Sequence, residues 1–404
     1  MPRKRVVSIG VALSLALILL AGAAISLSAS PTQAAHEPPA FGLRVNLLGG
    51  GDVTPLLNAA QIMRSDWIAQ SVLWKDIEPA PGVYHWEKLD AMLETARPYG
   101  FRILFSLAGA PDWARPAGSD LTHDGPPADY AAFANFASKL ATRYAGLVAA
   151  YEIWPEANLI SRWSALEGVS AANYTELLRQ TSVSIRAADP MAIIVAGGLA
   201  PTGAHDGFNV IDDLTFYQAM YNAGAASYFD ALGTRVDGYN NPPADSATSS
   251  SVTTITYKGH TSFYFRHYES VREVMVTNGD TDKMLWITSA GWASTPTPIA
   301  GMEFASDVSE QQQAEYMVGA LAQVQSQSYV AVVLINNFNF STTTSDPVQA
   351  TYSLIRADWS ARPAFITLAQ VRQDAALATP LTSTSGQNVV HTLPNWSPRQ
   401  RQPR

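Results

Sequence analysis

The chain has 404 residues, of which 47% are hydrophobic and 15% are charged, and its formal net charge is −8. This balance supports a large packed core and excludes disorder of the whole chain. The absence of cysteine excludes disulfides, thiolate metal sites and cysteine nucleophiles. The excess of acidic residues argues against nucleic acid as a partner and favours neutral or cationic ligands.

The N-terminal segment combines a basic start with a long apolar stretch. Basic residues fall within 2–5, an apolar run covers about 6–30, and small residues lie near 32–35. This order predicts a secretory signal over residues 1–35. Because the apolar run approaches membrane-spanning length, an uncleaved anchor is the alternative. In either case we expect the body of the protein to be secreted, or tethered with its body outside the cytoplasm.

From residue 41 onward, short apolar runs alternate with amphipathic segments. The predicted strands cover 41–48, 67–73, 102–107, 147–153, 192–196, 229–234, 285–288 and 330–335. The predicted helices cover 54–64, 86–97, 129–144, 171–188, 212–223, 262–277, 310–325 and 363–373. Such alternation implies parallel strands joined by helices. We therefore predict an α/β protein with a single (β/α)8 TIM barrel over 41–375, followed by a disordered tail over 379–404.

A doubly wound open sheet is the alternative architecture for this pattern. Its dinucleotide-binding form carries a G-x-G-x-x-G turn after a strand, and no predicted strand is followed by one. We expect no cofactor and no metal site. The two histidines near the start of the 262–277 helix, His260 and His267, lack a nearby acid in ligand spacing and are expected to be structural.

The fourth predicted strand delivers an acid to its C-terminal end, which is where parallel barrels place catalytic groups. Side chains alternate along a strand, so Glu152, Trp154 and Glu156 share one face. Glu152 lies two residues deeper than Glu156 and is expected to be a buried, hydrogen-bonded residue of the barrel interior. Glu156 is the candidate for the site.

The chain resembles the clan A glycoside hydrolases, in particular the cellulase-like and family 39 β-xylosidase-like barrels, over about residues 41–368. The matching stretches occur in the family's order and lie at 74–86, 110–116, 197–201, 229–233, 239–243, 259–266 and 285–288. The resemblance implies a carbohydrate partner, an oligo- or polysaccharide, and hydrolysis of O-glycosyl bonds with two glutamates. In a retaining enzyme, one protonates the leaving oxygen and the other, about 5 Å away, attacks the anomeric carbon.

The matching positions keep one of these two glutamates. Glu156 matches the acid/base, although Pro155 and Ala157 replace its usual Asn and Pro neighbours. Ser289 stands at the position of the nucleophile. A serine without an adjacent base is too short and too weakly nucleophilic to replace a carboxylate.

The resemblance also indicates candidates for substrate binding. Asn158 ends the motif around Glu156, and Asn336 stands where the family has a floor tryptophan after strand eight. Trp154, Trp113 and Trp292 lie beside loop ends and are the preferred candidates for stacking on sugar rings.

The charged residues after the sixth predicted strand replace a His-Pro-Tyr motif of the family. We expect Arg235 and Asp237 to form an ion pair in that loop. The alternative is that Asp237 is a relocated catalytic carboxylate, because an inverting enzyme needs its carboxyl groups about 6.5–9.5 Å apart rather than adjacent.

Two functions follow from these residues. The first is a carbohydrate-binding pseudoenzyme or strongly impaired hydrolase, in which Ser289 has replaced the nucleophile. The second is an active O-glycosyl hydrolase that uses Glu156 with a relocated carboxylate, Asp237 being the first to test. A purely structural role is a third possibility, and a loop face without exposed tryptophan would favour it.

Overall fold

The computed structural model describes residues 38–251, 257–343 and 346–378. The predicted signal or anchor over 1–35 and the predicted tail over 379–404 lie outside this part of the chain. Within it, no helix is both long enough and apolar enough to cross a membrane.

Eight parallel strands close into a barrel in sequence order. Strand β1 pairs with both β2 and β8, so the prediction of a (β/α)8 barrel is confirmed and the open-sheet alternative is wrong. The strands are β1 (Ala40–Val45), β2 (Trp67–Leu73), β3 (Arg102–Ala108), β4 (Ala150–Ile153), β5 (Ile193–Leu199), β6 (Ala231–Asp237), β7 (Met284–Gly291) and β8 (Val330–Ile335).

Helices follow the strands and surround the barrel. They are α1 (Thr54–Ile62), α2 (Trp74–Ile77), α3 (Glu87–Ala96), α4 (Tyr130–Arg143), α5 (Ala171–Ala188), α6 (Asp213–Asn222), α7 (His267–Thr277), α8 (Glu310–Val324), α9 (Phe340–Thr343), α10 (Pro347–Tyr352) and α11 (Pro363–Ala378). The eight predicted helices are all present. The short helices α2, α9 and α10 are additions, because four to six residues are too few for a periodic pattern to indicate a helix.

The alternation of side chains along each strand divides the core into two layers. Inside the barrel, Trp67 of β2 packs edge-on against Trp286 of β7, with ring centroids 5.0 Å apart, together with Leu104 and Val195. Residues of opposite parity, such as Ile153, pack outward against the helices. Each large apolar side chain that is fully buried contributes about 1.5–3 kcal/mol, so this two-layer core dominates the stability of the barrel.

Strands β6 and β7 run further than the sequence predicts, ending at Asp237 and Gly291 instead of near 234 and 288. A register shift beyond Thr234 leaves Thr288 as an extra residue and pairs Arg235 with Ser289. Paired residues of neighbouring strands point to the same face, so the bulge turns Ser289 to the same face as Arg235. The extension therefore moves both residues from predicted loops into the barrel wall.

Candidate functional site

A cavity of about 540 Å³ opens at the C-terminal ends of the strands. Seven charged residues line it, near or beyond the C-terminal ends of strands: Arg44, Asp76, Asp124, Glu156, Arg162, Arg235 and Asp346. Asn336, a candidate from the sequence, also lines it. This is the end at which (β/α)8 barrels hold their sites.

Glu156 lies just beyond β4 in a tight turn. Its φ is +61° and that of Trp154 is +50°. A left-handed conformation costs a non-glycine residue about 1–2 kcal/mol, so the surrounding structure must hold this turn in place. A backbone hydrogen bond of 2.9 Å from Glu156 N to Gly198 O ties the turn to β5. The strained turn places the carboxylate in the cavity wall.

Two guanidinium groups hold the Glu156 carboxylate. Nε of Arg162 donates a 3.2 Å hydrogen bond to Oε2, and Nε of Arg235 lies 3.4 Å from Oε1. Burial by itself would raise the pKa of Glu156, but the charges of Arg235, Arg162 and Arg44 outweigh it, so the pKa is lowered. Glu156 is therefore ionised at neutral pH.

A second, fully buried carboxylate lies below the cavity floor. Glu152 accepts hydrogen bonds from Ser106 Oγ and from Gly198 N, and Nη1 of Arg44 lies 3.5 Å from its Oε2. Arg44 in turn donates to Thr288 O. These contacts confirm that Glu152 is a hydrogen-bonded residue of the barrel interior.

Asp237 ends β6 and Ser289 lies on β7, and neither residue lines the cavity. The Ser289 side chain is fully buried, and its Oγ has no hydrogen-bond partner among the described residues. Asp237 Oδ1 is also buried and unpartnered within the same part of the chain. Burial, opposed by the charge of Arg235 and assisted by that of Glu156, raises the pKa of Asp237 to about 6.

The prediction of an ion pair between Arg235 and Asp237 is wrong. Of the carboxylates in the described residues, Glu156 lies within 4.0 Å of Arg235 and Asp237 does not. The sequence predicted a loop here, but both residues belong to the extended strand β6. From this strand the Arg235 side chain contacts Glu156 and not Asp237.

Two tryptophans proposed as stacking platforms are core residues. The Trp154 ring is fully buried against Phe133 and Trp163, and its Nε1 donates to Arg162 O. Trp292 is 1% exposed, and its Nε1 donates to Asn241 O. Neither presents a ring face to a ligand, because each packs under the loops beside the mouth. This corrects the expectation for both residues.

The remaining candidates also differ from expectation. Asn158 is fully buried and clamps the β5 end, with Nδ2 donating to Ala200 O and Oδ1 accepting from Ala200 N. It is therefore a structural residue and not a substrate contact. Trp113 is 38% exposed, but it packs edge-on against Trp74 and does not line the cavity.

An apolar cluster closes the side of the mouth next to Asp237. Tyr239, Phe304 and Tyr352 belong to it, and the rings of Tyr239 and Phe304 have centroids 4.8 Å apart. The charge of Asp237 contributes to raising the pKa of both tyrosines, behind the larger effect of burial, which shows their proximity to that carboxylate. The open part of the mouth is thus the side formed by β1 to β4, together with Arg235 and the β8 end.

Sequence reasoning missed Arg44 and Arg162. Arg44 carries a detectable signal, since it is a charged residue inside the apolar strand 41–48 with inward parity. Arg162 carries none, because only the turn after β4 brings it back to Glu156. No group of three His, Asp or Glu residues in the described ranges could hold a metal ion.

Comparison with solved structures finds the same barrel in several enzymes. A family 39 glycoside hydrolase from Bacteroides cellulosilyticus WH2 superposes with a TM-score of 0.63 at 19% identity over 83% of this chain and 64% of that one. The chain therefore shares the barrel fold of this enzyme. A GH5_18 protein from Streptomyces cattleya, solved in complex with GlcNAc, gives a TM-score of 0.63 at 16% identity over 85% of this chain and 82% of that one.

A GH10 endoxylanase retrieved from a sugarcane soil metagenome gives a TM-score of 0.54 at 14% identity, covering 83% of this chain and 97% of that one. No profile of a known protein family matches the chain, and neither does any curated protein sequence. The likeness is thus one of fold, an eight-stranded parallel barrel shared with clan A glycoside hydrolases.

Proposed function

We propose that this glycoside hydrolase-like barrel binds carbohydrate at its C-terminal mouth without retaining hydrolysis. The observation that carries the proposal is the pair of ion contacts from Arg235 and Arg162 to Glu156, which lower its pKa. A residue that is ionised at neutral pH has no proton to give to a leaving oxygen.

The missing nucleophile supports the same proposal. Retaining hydrolysis also needs a carboxylate that attacks the anomeric carbon, and Ser289 has neither a carboxylate nor an exposed side chain. Both halves of the two-carboxylate mechanism are therefore altered at the positions that the resemblance assigns to them.

Carbohydrate as the ligand is supported by the cavity and by the fold. A cavity of about 540 Å³ lies within the range of small-molecule sites, roughly 300–1,000 Å³. Its wall offers amide and hydroxyl groups, from Asn46, Gln70, Ser71 and Asn336, which suit sugar hydroxyls. The solved structures that share the barrel are glycoside hydrolases.

Inverting hydrolysis is the second candidate, and the raised pKa of Asp237 favours it. With a pKa of about 6, Asp237 is largely protonated below pH 6, where Glu156 with its lowered pKa is still ionised. Two carboxyl groups whose environments separate their pKa values can act as acid and base. In this version Asp237 protonates the leaving oxygen and Glu156 activates water, the reverse of the role that the resemblance assigns to Glu156.

A turnover assay combined with calorimetry tests the proposal. The purified barrel is incubated with aryl β-xylosides, aryl β-glucosides and plant polysaccharides, beside a Glu156→Ala control. We expect saccharide binding without turnover above that of the control. Turnover that disappears in both Glu156→Ala and Asp237→Asn would overturn the binding-only proposal in favour of inverting hydrolysis. Absence of any saccharide binding would overturn both.

The proposal includes a location outside the cytoplasm, supported by the basic and apolar order of residues 1–35. Mass spectrometry of the expressed full chain tests it. A mature N-terminus near residue 36 indicates a cleaved signal, and an intact N-terminus in the membrane fraction indicates the anchor. Recovery of the intact chain in the cytosol would contradict export.

A further inference from the structure

We infer that the cavity selects anionic saccharides, whose oxyanion group binds the terminal nitrogens of Arg235 and Arg162. This inference rests on the proposed carbohydrate-binding function and adds the class of saccharide. It runs against the acidic net charge of the chain, which by itself favours neutral or cationic ligands.

The first support is that only one of the three nitrogens of the Arg235 guanidinium contacts Glu156. Its contact with Glu156 is made through Nε at 3.4 Å, and no hydrogen bond joins its two terminal nitrogens to any described residue. The side chain is only 13% exposed and lines the cavity. Neither terminal nitrogen is among the fully buried unpartnered atoms, so both are accessible from the cavity, where a charged donor binds an oxyanion more strongly than a neutral acceptor.

Arg162, in the turn after β4, contributes a second guanidinium group, on a side chain that is 48% exposed. Its Nε donates to Glu156, and its Nη1 is 3.8 Å from Asp124, beyond hydrogen-bond distance. A guanidinium fork matches a carboxylate or sulfate through paired N–H donors. Both side chains contact the same carboxylate, Arg235 at Oε1 and Arg162 at Oε2 of Glu156.

The second support is the lack of a ring platform. The aromatic residues that line the cavity are Trp154 and Phe340, and the Trp154 ring is packed in the core. A neutral sugar therefore finds little apolar surface for the C–H face of its ring, and the charged donors are the strongest groups that the wall offers.

Four carboxylates also line the cavity, on Asp76, Asp124, Glu156 and Asp346, and they oppose this attraction. Asp124 is paired with Lys75 at 2.6 Å as well as with Arg162. Distant carboxylates on the surface are screened, because the Debye length is about 8 Å at physiological salt. Glu156 is the direct competitor, since it occupies the same two guanidinium groups as the proposed ligand.

Calorimetry on the full barrel with matched oligosaccharides tests the inference. The probes are cello-oligosaccharides and galacto-oligosaccharides, each used as the neutral form, the 6-carboxylate and the 6-sulfate. We expect the anionic forms to bind at least about tenfold more tightly than the neutral form at low salt, with the difference shrinking as salt rises. The ratio of carboxylate to sulfate binding identifies which oxyanion the site prefers.

Three variants locate the effect. Arg235→Gln should remove most of the anionic preference, and Arg235→Lys should restore part of it, because a single ammonium keeps the charge but not the fork. Glu156→Gln should tighten anionic binding by about tenfold, since it removes the competing carboxylate. Arg266→Gln is the matched control, as its guanidinium pairs with Glu269 on α7 away from the cavity.

The outcomes separate the inference from the function on which it rests. Equal binding of neutral and anionic forms, or weaker anionic binding in Glu156→Gln, overturns the inference and leaves the carbohydrate-binding proposal standing. Failure of all the saccharides to bind overturns the proposed function itself.

Discussion

Glu156 and Arg235 face each other across the barrel mouth, with Oε1 of the glutamate 3.4 Å from Nε of the arginine. The two residues come from the ends of β4 and β6, which are not neighbours in the barrel. Their contact decides the protonation state of the acid that the resemblance assigns to catalysis. Arg235 thus pairs with Glu156 and not with Asp237, the partner that proximity in the sequence suggests.

The dependence of Glu156 on its arginines gives the first prediction. Arg235→Gln removes the opposing charge that β6 places beside the carboxylate, so the pKa of Glu156 should rise. Carbon-detected NMR titration of labelled glutamate measures it, with Glu156→Gln to assign the signal. Arg266→Gln should leave the signal in place. An unchanged pKa in Arg235→Gln would show that this ion pair does not hold Glu156 ionised.

Asp237 should make the protein less stable as pH rises from about 4 to about 6. Its pKa is about 6 in the folded protein against 3.8 normally, so across this interval the folded state holds a proton that the unfolded chain has released. Asp237→Asn removes this loss and should stabilise the protein at pH 7–8 by on the order of 1–3 kcal/mol.

Thermal unfolding at fixed pH values measures this effect as the difference between wild type and Asp237→Asn. The difference matters because Glu156, with its lowered pKa, acts in the opposite direction and is lost as pH falls. Exposed Asp112→Asn is the control and should follow the wild type. A parallel pH profile for Asp237→Asn and wild type would contradict the prediction.

Trp154 should behave as a core residue and not as a sugar platform. Removing a fully buried aromatic side chain costs about 3–5 kcal/mol, so Trp154→Ala should unfold at a clearly lower denaturant concentration. Trp113→Ala, at a half-exposed position, should lose only about 1 kcal/mol. Trp154→Ala with wild-type stability and a specific loss of saccharide binding would return Trp154 to the site.

The buried pair of Asp213 and His267, outside the site, should stabilise the contact between α6 and α7. His267 Nε2 lies 2.6 Å from Asp213 Oδ2, and His267 Nδ1 lies 3.1 Å from Thr261 Oγ1. His267→Phe keeps an aromatic ring but removes the partner of Asp213 Oδ2, a loss of about 3–5 kcal/mol, and leaves the carboxylate only the hydrogen bond from Thr202 N to Oδ1. Urea unfolding measures this, and His85→Phe at an exposed position should change little.

The sequence by itself determined the elements and their arrangement. Periods of two and 3.6 residues are local properties, and strict alternation of strands and helices leaves few ways to bury both faces of a parallel sheet. The barrel, all eight strands and the eight longer helices follow from that. The identity of Glu156 as the residue at the end of β4 also follows, because it depends on strand parity and position alone.

Only the tertiary structure decided what surrounds Glu156. Arg44, Arg162 and Arg235 come from three separate elements, and no local pattern shows that their guanidinium groups converge on one carboxylate. Burial also depends on contacts that are distant in the sequence. For this reason the sequence predicted Trp154 and Trp292 as exposed aromatic residues, although both lie in the core. Protonation depends on desolvation and on charges a few ångströms away, so Glu156 is ionised and Asp237 titrates near neutral pH for reasons that arise only after the barrel closes.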